Sequence, residues 1–248
     1  VSDVLIKVSD LTIGWGPESI LQQHANFEVE RGEIFVILGG SGCGKSTLLR
    51  HMIGLAEPLS GQILVDGTRP GHVGVGRPPF GVMFQSGALL GSMTVGENVG
   101  LVLTAWTDLP SEAVDAIVQA KLSLVGLSGA EGKLPSELSG GMRKRAAIAR
   151  AMALEPDLIF LDEPSAGLDP VSAAELDALL LSLNAVLGLT LVIVTHDLDS
   201  IFKIGKRCIM LDRESRSILA RGDPRELRDG CTVPSVRAFF NRSALEGP

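Results

Sequence analysis

The chain has 248 residues, 45% of them hydrophobic, and a formal net charge of -7 at pH 7. That composition fits one sizeable core, or a core with an inserted subdomain, and excludes a disordered chain. The acidic balance argues against a general nucleic-acid binder, which needs a basic face. The one compact basic cluster, Arg143-Lys144-Arg145, lies in a helix-like segment and reads as a solvated face. Three cysteines, Cys43, Cys208 and Cys231, form an odd set without metal-ligand spacing and point to a reduced, cytosolic setting. No uninterrupted apolar run reaches the roughly 18 residues of a membrane span, and Val1-Ser2-Asp3 lacks the basic and apolar parts of a signal peptide. The expectation is a soluble chain, with room for a membrane-bound partner.

In chain order, Val4–Ile13 reads as an opening strand, and Gly14-Trp15-Gly16-Pro17 as a turn that displays Trp15. The displayed ring can stack on adenine or pack on the turn itself. Phe27–Glu30 alternates like a strand, and Ile34–Leu38 is an apolar run typical of a buried one. Next comes Gly39-Gly40-Ser41-Gly42-Cys43-Gly44-Lys45-Ser46-Thr47, then Leu48, Leu49 and Met52 at helix spacing. Strand, glycine loop and helix start follow in the order a phosphate-binding loop requires. Backbone N–H groups free of side-chain crowding converge on phosphate oxygens beside the positive end of the helix. Lys45 would reach the outer phosphates, and the Ser46 hydroxyl would hold a magnesium ion. Cys43 is read either as a reactive thiol or as a neutral occupant of the loop.

Ser60–Gly67 reads as turn, strand and turn, and the glycine- and proline-rich stretch from Thr68 to Gly81 excludes a continuous element. Val82-Met83-Phe84 reads as a buried strand ending at Gln85, whose amide can touch magnesium and the attacking water or simply face solvent. Helix-like periodicity covers Ser111–Ala120 and Leu122–Leu127, with Ser111 as a cap. Ser139-Gly140-Gly141 opens an alanine-rich helix from Met142 to Leu154, a second anion-accepting helix start. It can serve the same nucleotide only if the chain folds back or a second copy supplies it.

Leu158–Leu161 is a fully apolar strand ending in Asp162-Glu163-Pro164, which favours a parallel α/β sheet covered on both faces. Asp162 would support magnesium through water and Glu163 would orient the attacking water; helix capping is the plainer alternative. Asp169 or Ser172 caps a helix carrying Leu176, Leu179, Leu180 and Leu183. The strand Leu189–Val194 ends at Thr195-His196-Asp197, placing His196 on the ligand edge of the sheet. There it can donate to a terminal phosphate, hold the water-orienting carboxylate, or merely pack. Two short strands, Cys208–Leu211 and Ser217–Ala220, and a helical or irregular closing segment over residues 222–241 complete the chain.

These motifs in this order resemble the ATP-binding cassette ATPases of membrane transporters, over about residues 5–222. Gly39 to Thr47 matches the phosphate loop, Gln85 the glutamine switch, and Leu138-Ser139-Gly140-Gly141-Met142 the family signature, with Met142 replacing the commoner glutamine. Asp162 and Glu163 match the metal-supporting acid and catalytic base, Asp169 the interfacial aspartate, His196 the switch histidine and Trp15 the adenine-stacking aromatic. The resemblance implies an α/β P-loop NTPase fold: a RecA-like core (residues 4–86 and 155–222), an antiparallel β subdomain and an inserted helical subdomain (residues 87–154). A C-terminal segment, residues 223–248, would follow. It also implies ATP and Mg2+ as ligands and two copies closing head to tail, each ATP lying between one copy's Lys45 loop and the other's Ser139-Gly140-Gly141.

Within that family, Phe84–Leu89, Ser136–Arg145 and Ala153–Asp157 resemble the MlaF-type ATPases of the Mla/MCE phospholipid transport systems. This implies an MlaE-like permease, an MlaD-like MCE-domain protein and room for a small MlaB-like STAS-domain partner, at the cytoplasmic side of a bacterial inner membrane. It also lets the segment from Arg225 to Arg242 reach a second copy. The glycine- and proline-rich Arg69–Phe80 loop and the short tail depart from that pattern. An importer of amino acids or another small solute would use the same machinery, whereas a nucleic-acid clamp would need a long insertion or paired cassettes and a basic face.

Overall fold

The computed structural model describes residues 3–71 and 78–242. The expected irregular stretch from Thr68 to Gly81 therefore falls partly outside the described residues, as do Val1, Ser2 and the last six residues of the tail. The chain divides into two compact units, residues 1–72 with 192–248, and residues 73–191.

In the first unit, β1 (Val4–Gly14) pairs antiparallel with β2 (Ile20–Glu30) on one side and β4 (Ser60–Val65) on the other. Alternation along β2 turns Ala25, Phe27 and Val29 inward. β3 (Ile34–Gly39) is buried along its whole length, as its unbroken apolar run requires. It runs parallel to β8 (Arg207–Leu211), which pairs antiparallel with β9 (Ile218–Gly222). The chain leaving β7 (Thr190–Val194) lies on the other side of β3, where the Thr195 N–H donates to the Ile37 carbonyl at 3.3 Å. Phe27 stacks on Phe35 at 5.6 Å between ring centres, and Arg207 covers the same ring while its guanidinium donates to both carboxylate oxygens of Glu33. The antiparallel sheet is thereby tied to β3 and β8.

α1 (Lys45–Met52) buries Leu48, Leu49, His51 and Met52. α6 (Leu198–Ile204), α7 (Pro224–Gly230) and α8 (Pro234–Phe240) complete the unit. Val236 and Phe240 of α8 pack with Val36, Leu38, Leu198, Ile201, Cys208 and Met210, so the closing segment rests on this chain's own core.

In the second unit, β5 (Gly81–Met83) runs parallel to β6 (Leu158–Asp162), and the Thr190 N–H at the start of β7 donates to the Asp157 carbonyl at 2.8 Å. Among the described residues four α-helices accompany them: α2 (Val95–Trp106), α3 (Ser111–Leu124), α4 (Gly140–Ala151) and α5 (Pro170–Leu187). Helix α2 is not among the elements expected from the sequence. Its start is a complete capping box, in which the Glu97 N–H donates to Thr94 Oγ1 and the Thr94 N–H donates to the Glu97 carboxylate.

The two helical segments expected between Ser111 and Leu127 are one helix that ends at Leu124. Gly126, at φ 72°, stops it, and the Leu127 N–H closes back on the Leu122 carbonyl. Ser111 is the first helical residue rather than the cap, a place taken by Pro110, because proline supplies the extended entry and has no N–H to satisfy. Helix α5 is long and apolar enough, by length and composition alone, to cross a membrane. Glu175 and Asp177 interrupt its apolar run, however, and Leu176, Leu180 and Leu183 form a buried stripe beside a buried Asp177 and Asn184.

Candidate nucleotide site

The first unit carries the glycine loop. It leaves β3 at Gly39, where an added Cβ would lie 2.5 Å from both Cys43 Sγ and the Leu211 carbonyl oxygen, so no side chain fits. Gly42 and Gly44 hold φ angles of 76° and 102°, which L side chains rarely adopt, and Gly44 is the N-cap of α1. The loop presents its backbone N–H groups at a helix start, the arrangement that receives an anion. The Lys45 ammonium lies over the same loop, donating to the carbonyls of Gly39 at 2.8 Å and Gly40 at 3.0 Å. Gly40, Ser41 and Ser46 are exposed, and the Thr47 carbonyl lies 2.8 Å from His51 Nδ1.

A residue that the sequence did not single out fixes the loop from behind. The fully buried Gln22 donates through Nε2 to the Cys43 carbonyl at 2.9 Å and to the Asp212 carbonyl at 2.8 Å, strapping the loop to the turn after β8. Among the described residues, Gln22 Oε1 is a buried side-chain acceptor without a donor. Such a group costs about 1–3 kcal/mol, which the strap must offset.

Of the two readings of Cys43, the structure favours the neutral occupant: it is 1% exposed, and burial raises its thiol pKa. Burial also pushes Cys208 up to about 12, while Cys231 is half-buried. Iodoacetamide at pH 8 is expected to label Cys231 first, with Cys43 and Cys208 labelled only on unfolding, as peptide mass spectrometry would report. Early label on Cys43 would contradict its burial. The raised Cys208 pKa stabilises the fold fully below pH 9.0, and that contribution is lost as pH rises through about 12.

Two further candidates belong to this unit. Trp15 stands 67% exposed on the turn between β1 and β2, which is closed by the Trp15 N–H donating to the Ser19 carbonyl. His196 follows the end of β7 and is exposed, and the next residue, Asp197, caps α6 by accepting from the Asp199 N–H.

The second unit carries the acids and the second helix start. β6 ends at Asp162 and Glu163 follows it, each 8% exposed, and Glu163 takes a left-handed φ of 49°. A non-glycine residue held there is strained by about 1–3 kcal/mol and must be over-determined by its surroundings. Gln85 follows β5 and is exposed. Ser139 is the N-cap of α4 and its Oγ accepts from the Met142 N–H at 3.2 Å. Gly140 and Gly141 begin that helix beside the Asp169 turn: an added Cβ would lie 3.3 Å from Leu168 at Gly140 and 3.6 Å from Ser172 at Gly141. Asp169, rather than Ser172, caps α5, accepting from the N–H groups of Val171 and Ser172 and from the Ser172 hydroxyl at 2.6 Å. Those bonds lower its carboxyl pKa.

The basic cluster departs from its expected solvated face. Arg145 pairs with Glu175 and Arg143 donates to the Leu138 carbonyl, but Lys144 is buried. Consecutive helix residues point about 100° apart, so a run of three cannot share one face. The Lys144 ammonium donates to the Gln85 carbonyl at 2.5 Å and to the Glu163 carbonyl at 3.4 Å. Arg150, also on α4, donates to the carbonyls of Gly87 and Ala88. The turn after β5 is thus held by two cations from one helix. The signal was legible: Lys144 lies three, four and seven residues before the buried Ala147, Ile148 and Ala151.

A family model described as ABC transporter matches residues 22–166. Over 243 residues the chain is 41% identical to the ribonucleotide transport ATP-binding protein mkl of Mycobacterium leprae, covering 96% of this chain and 69% of that one. Over 249 residues it is 40% identical to the intermembrane phospholipid transport system ATP-binding protein MlaF of Escherichia coli K12, covering 98% and 91%. Among solved structures, cbiO1 from Clostridium perfringens, part of the ABC transporter complex cbiONQ, superposes with a TM-score of 0.82 at 29% identity, covering 96% of this chain and 95% of that one. The dimeric ATP-binding cassette MJ0796 bound to ADP and Pi gives 0.76 at 28% identity, covering 88% and 98%.

Proposed function

The chain belongs to the ABC transporter family and is one of its ATP-hydrolysing subunits, and we propose that the transporter it drives moves phospholipid between two membranes. The observation that carries the cargo assignment is the 40% identity to MlaF along 98% of this chain. On this reading the chain sits on the cytoplasmic face of a bacterial inner membrane, bound to an MlaE-like permease and, through it, to an MlaD-like MCE-domain protein. A small MlaB-like STAS-domain protein completes the expected partners.

The residues present fit MgATP: a loop of left-handed glycines at a helix start, a lysine poised over it, and two acids at a strand end. Lys45 and the N–H groups of Gly39 to Thr47 grip the phosphates, and Trp15 stacks on the adenine. Ser46, Gln85 and Asp162 would hold Mg2+, which would neutralise charge on the phosphates. Glu163 takes the proton of the attacking water, and His196 steadies the terminal phosphate. Ser139, Gly140 and Gly141 of a second copy close over the same nucleotide, with Asp169 at the seam between the copies. The dimeric MJ0796 structures support a second copy.

Cargo is tested by what the native chain carries with it from detergent-solubilised membranes. An MCE-domain protein in the purified complex is the expected result, and a solute-binding protein in its place would overturn lipid traffic. The similarity to mkl, whose name assigns it to ribonucleotide transport, is the observation that favours a small-solute cargo instead.

A further inference from the structure

We propose that Lys144 is a positioning residue for hydrolysis, tying the Gln85 turn and the Glu163 turn to the helix that begins with Ser139-Gly140-Gly141. The proposal rests on the roles given above to Gln85 and Glu163.

Lys144 lies in the second turn of α4, 8% exposed. Burying an ammonium is costly, and desolvation lowers its pKa, an effect partly opposed by the charges of Glu163 and Asp162. The cost is offset by two backbone carbonyls, those of Gln85 at 2.5 Å and Glu163 at 3.4 Å. Both acceptors belong to residues of the proposed hydrolytic set, although they are separated by most of the second unit in sequence. A single charged donor therefore fixes the spacing of two turns that the strands alone leave at their free ends.

The Glu163 turn has particular need of such a hold. Its left-handed φ of 49° is unfavourable for a glutamate, and a donor on its carbonyl helps to keep the peptide in that orientation. Lys144 does not act on the water or the phosphate itself; it determines where the carboxylate and the amide stand. Its helix has a second attachment. The first turn of α4 carries the motif assigned above to a partner's nucleotide, and the next turn carries the ammonium that holds this chain's own Gln85 and Glu163. A displacement of α4 on closure at one site then shifts the hydrolytic groups of the other. Communication between the two sites of the dimer would run through this lysine.

The test uses the full chain with Lys144→Met, which retains length and apolar bulk, and Lys144→Arg, which retains the charged donor. Lys144→Met is expected to lower kcat roughly ten-fold or more while the affinity for a fluorescent ATP analogue changes by less than about two-fold. Its Hill coefficient for ATP should fall toward one, and Lys144→Arg should recover most of the rate. Wild-type kcat in Lys144→Met would overturn the proposal. So would Lys144→Arg as inactive as Lys144→Met, since charged donation would then not be what matters. If Lys144→Met does not fold, Lys144→Arg and Lys144→Gln decide: the proposal requires the arginine to outperform the amide in kcat at equal ATP affinity, and equal rates would overturn it. Glu163→Gln measured alongside separates the two levels. Wild-type turnover in Glu163→Gln would remove the underlying reading, whereas an inactive Glu163→Gln beside a fully active Lys144→Met would remove this proposal alone.

Discussion

Glu163→Gln is expected to bind ATP as the wild type does while turnover falls by roughly 10²- to 10⁴-fold, the usual contribution of a positioned general base. The amide has the same size and can still orient a water, but it cannot take the proton that attack releases. Glu163 is 8% exposed at the end of β6, so the replacement is made in a packed place where its neighbours already fix the turn. The φ of 49° is equally strained for glutamate and glutamine, so stability should change little. Phosphate release and equilibrium binding of a fluorescent ATP analogue would read the two quantities separately. Turnover equal to the wild type would remove Glu163 from the chemistry.

Lys45→Ala is expected to weaken ATP binding about 10- to 100-fold, corresponding to the 1.5–3 kcal/mol of a hydrogen bond to a charged group. Its ammonium already rests on the carbonyls of Gly39 and Gly40, so little ordering is needed when phosphates arrive. Alanine leaves the glycine loop intact, because the left-handed turns at Gly42 and Gly44 and the Gln22 strap do not depend on the lysine side chain. Affinity should therefore fall without a comparable loss in thermal stability. Unchanged affinity would show that the loop N–H groups alone carry the phosphates.

How far the sequence revealed this arrangement depended on whether local pattern and tertiary position agreed. The apolar runs of β3, β6 and β7 could only be strands covered on both faces, and all three are buried throughout. The glycine loop was legible because its spacing leaves few alternatives. Helix α2 was obscured by Gly96 and Gly100, which weaken its helical signal, although Thr94 and Glu97 already spelled a capping box.

Lys144 belongs to a charge run in the sequence, yet its place on the stripe with Ala147, Ile148 and Ala151 puts it inside. Gln22 was not legible at all. The inward residues Ala25, Phe27 and Val29 set an alternation that puts residue 22 outside. The β1–β2 register instead shifts between Leu11 and Ile13, with His24 at φ 51°, so Gln22 turns into the core behind the phosphate loop. Bulges of this kind reverse the face of every residue beyond them, and periodicity alone does not place them.

A nucleotide held between unlike surfaces of two identical chains is tested most directly by mixing two impaired variants. Lys45→Ala weakens the grip of the phosphate loop on ATP. Gly141→Asp sets a carboxylate at the start of α4, where an added Cβ meets Ser172 at an ordinary 3.6 Å, so the backbone leaves room for a side chain. In a head-to-tail dimer of one chain of each kind, both lesions fall in one site and the other site is built from two intact surfaces. At an ATP concentration near the wild-type Kd, hydrolysis is expected to be low in either variant alone and to rise well above the mean of the two when they are mixed. A mixture of folded chains that exchanges subunits and stays at that mean would contradict the shared site.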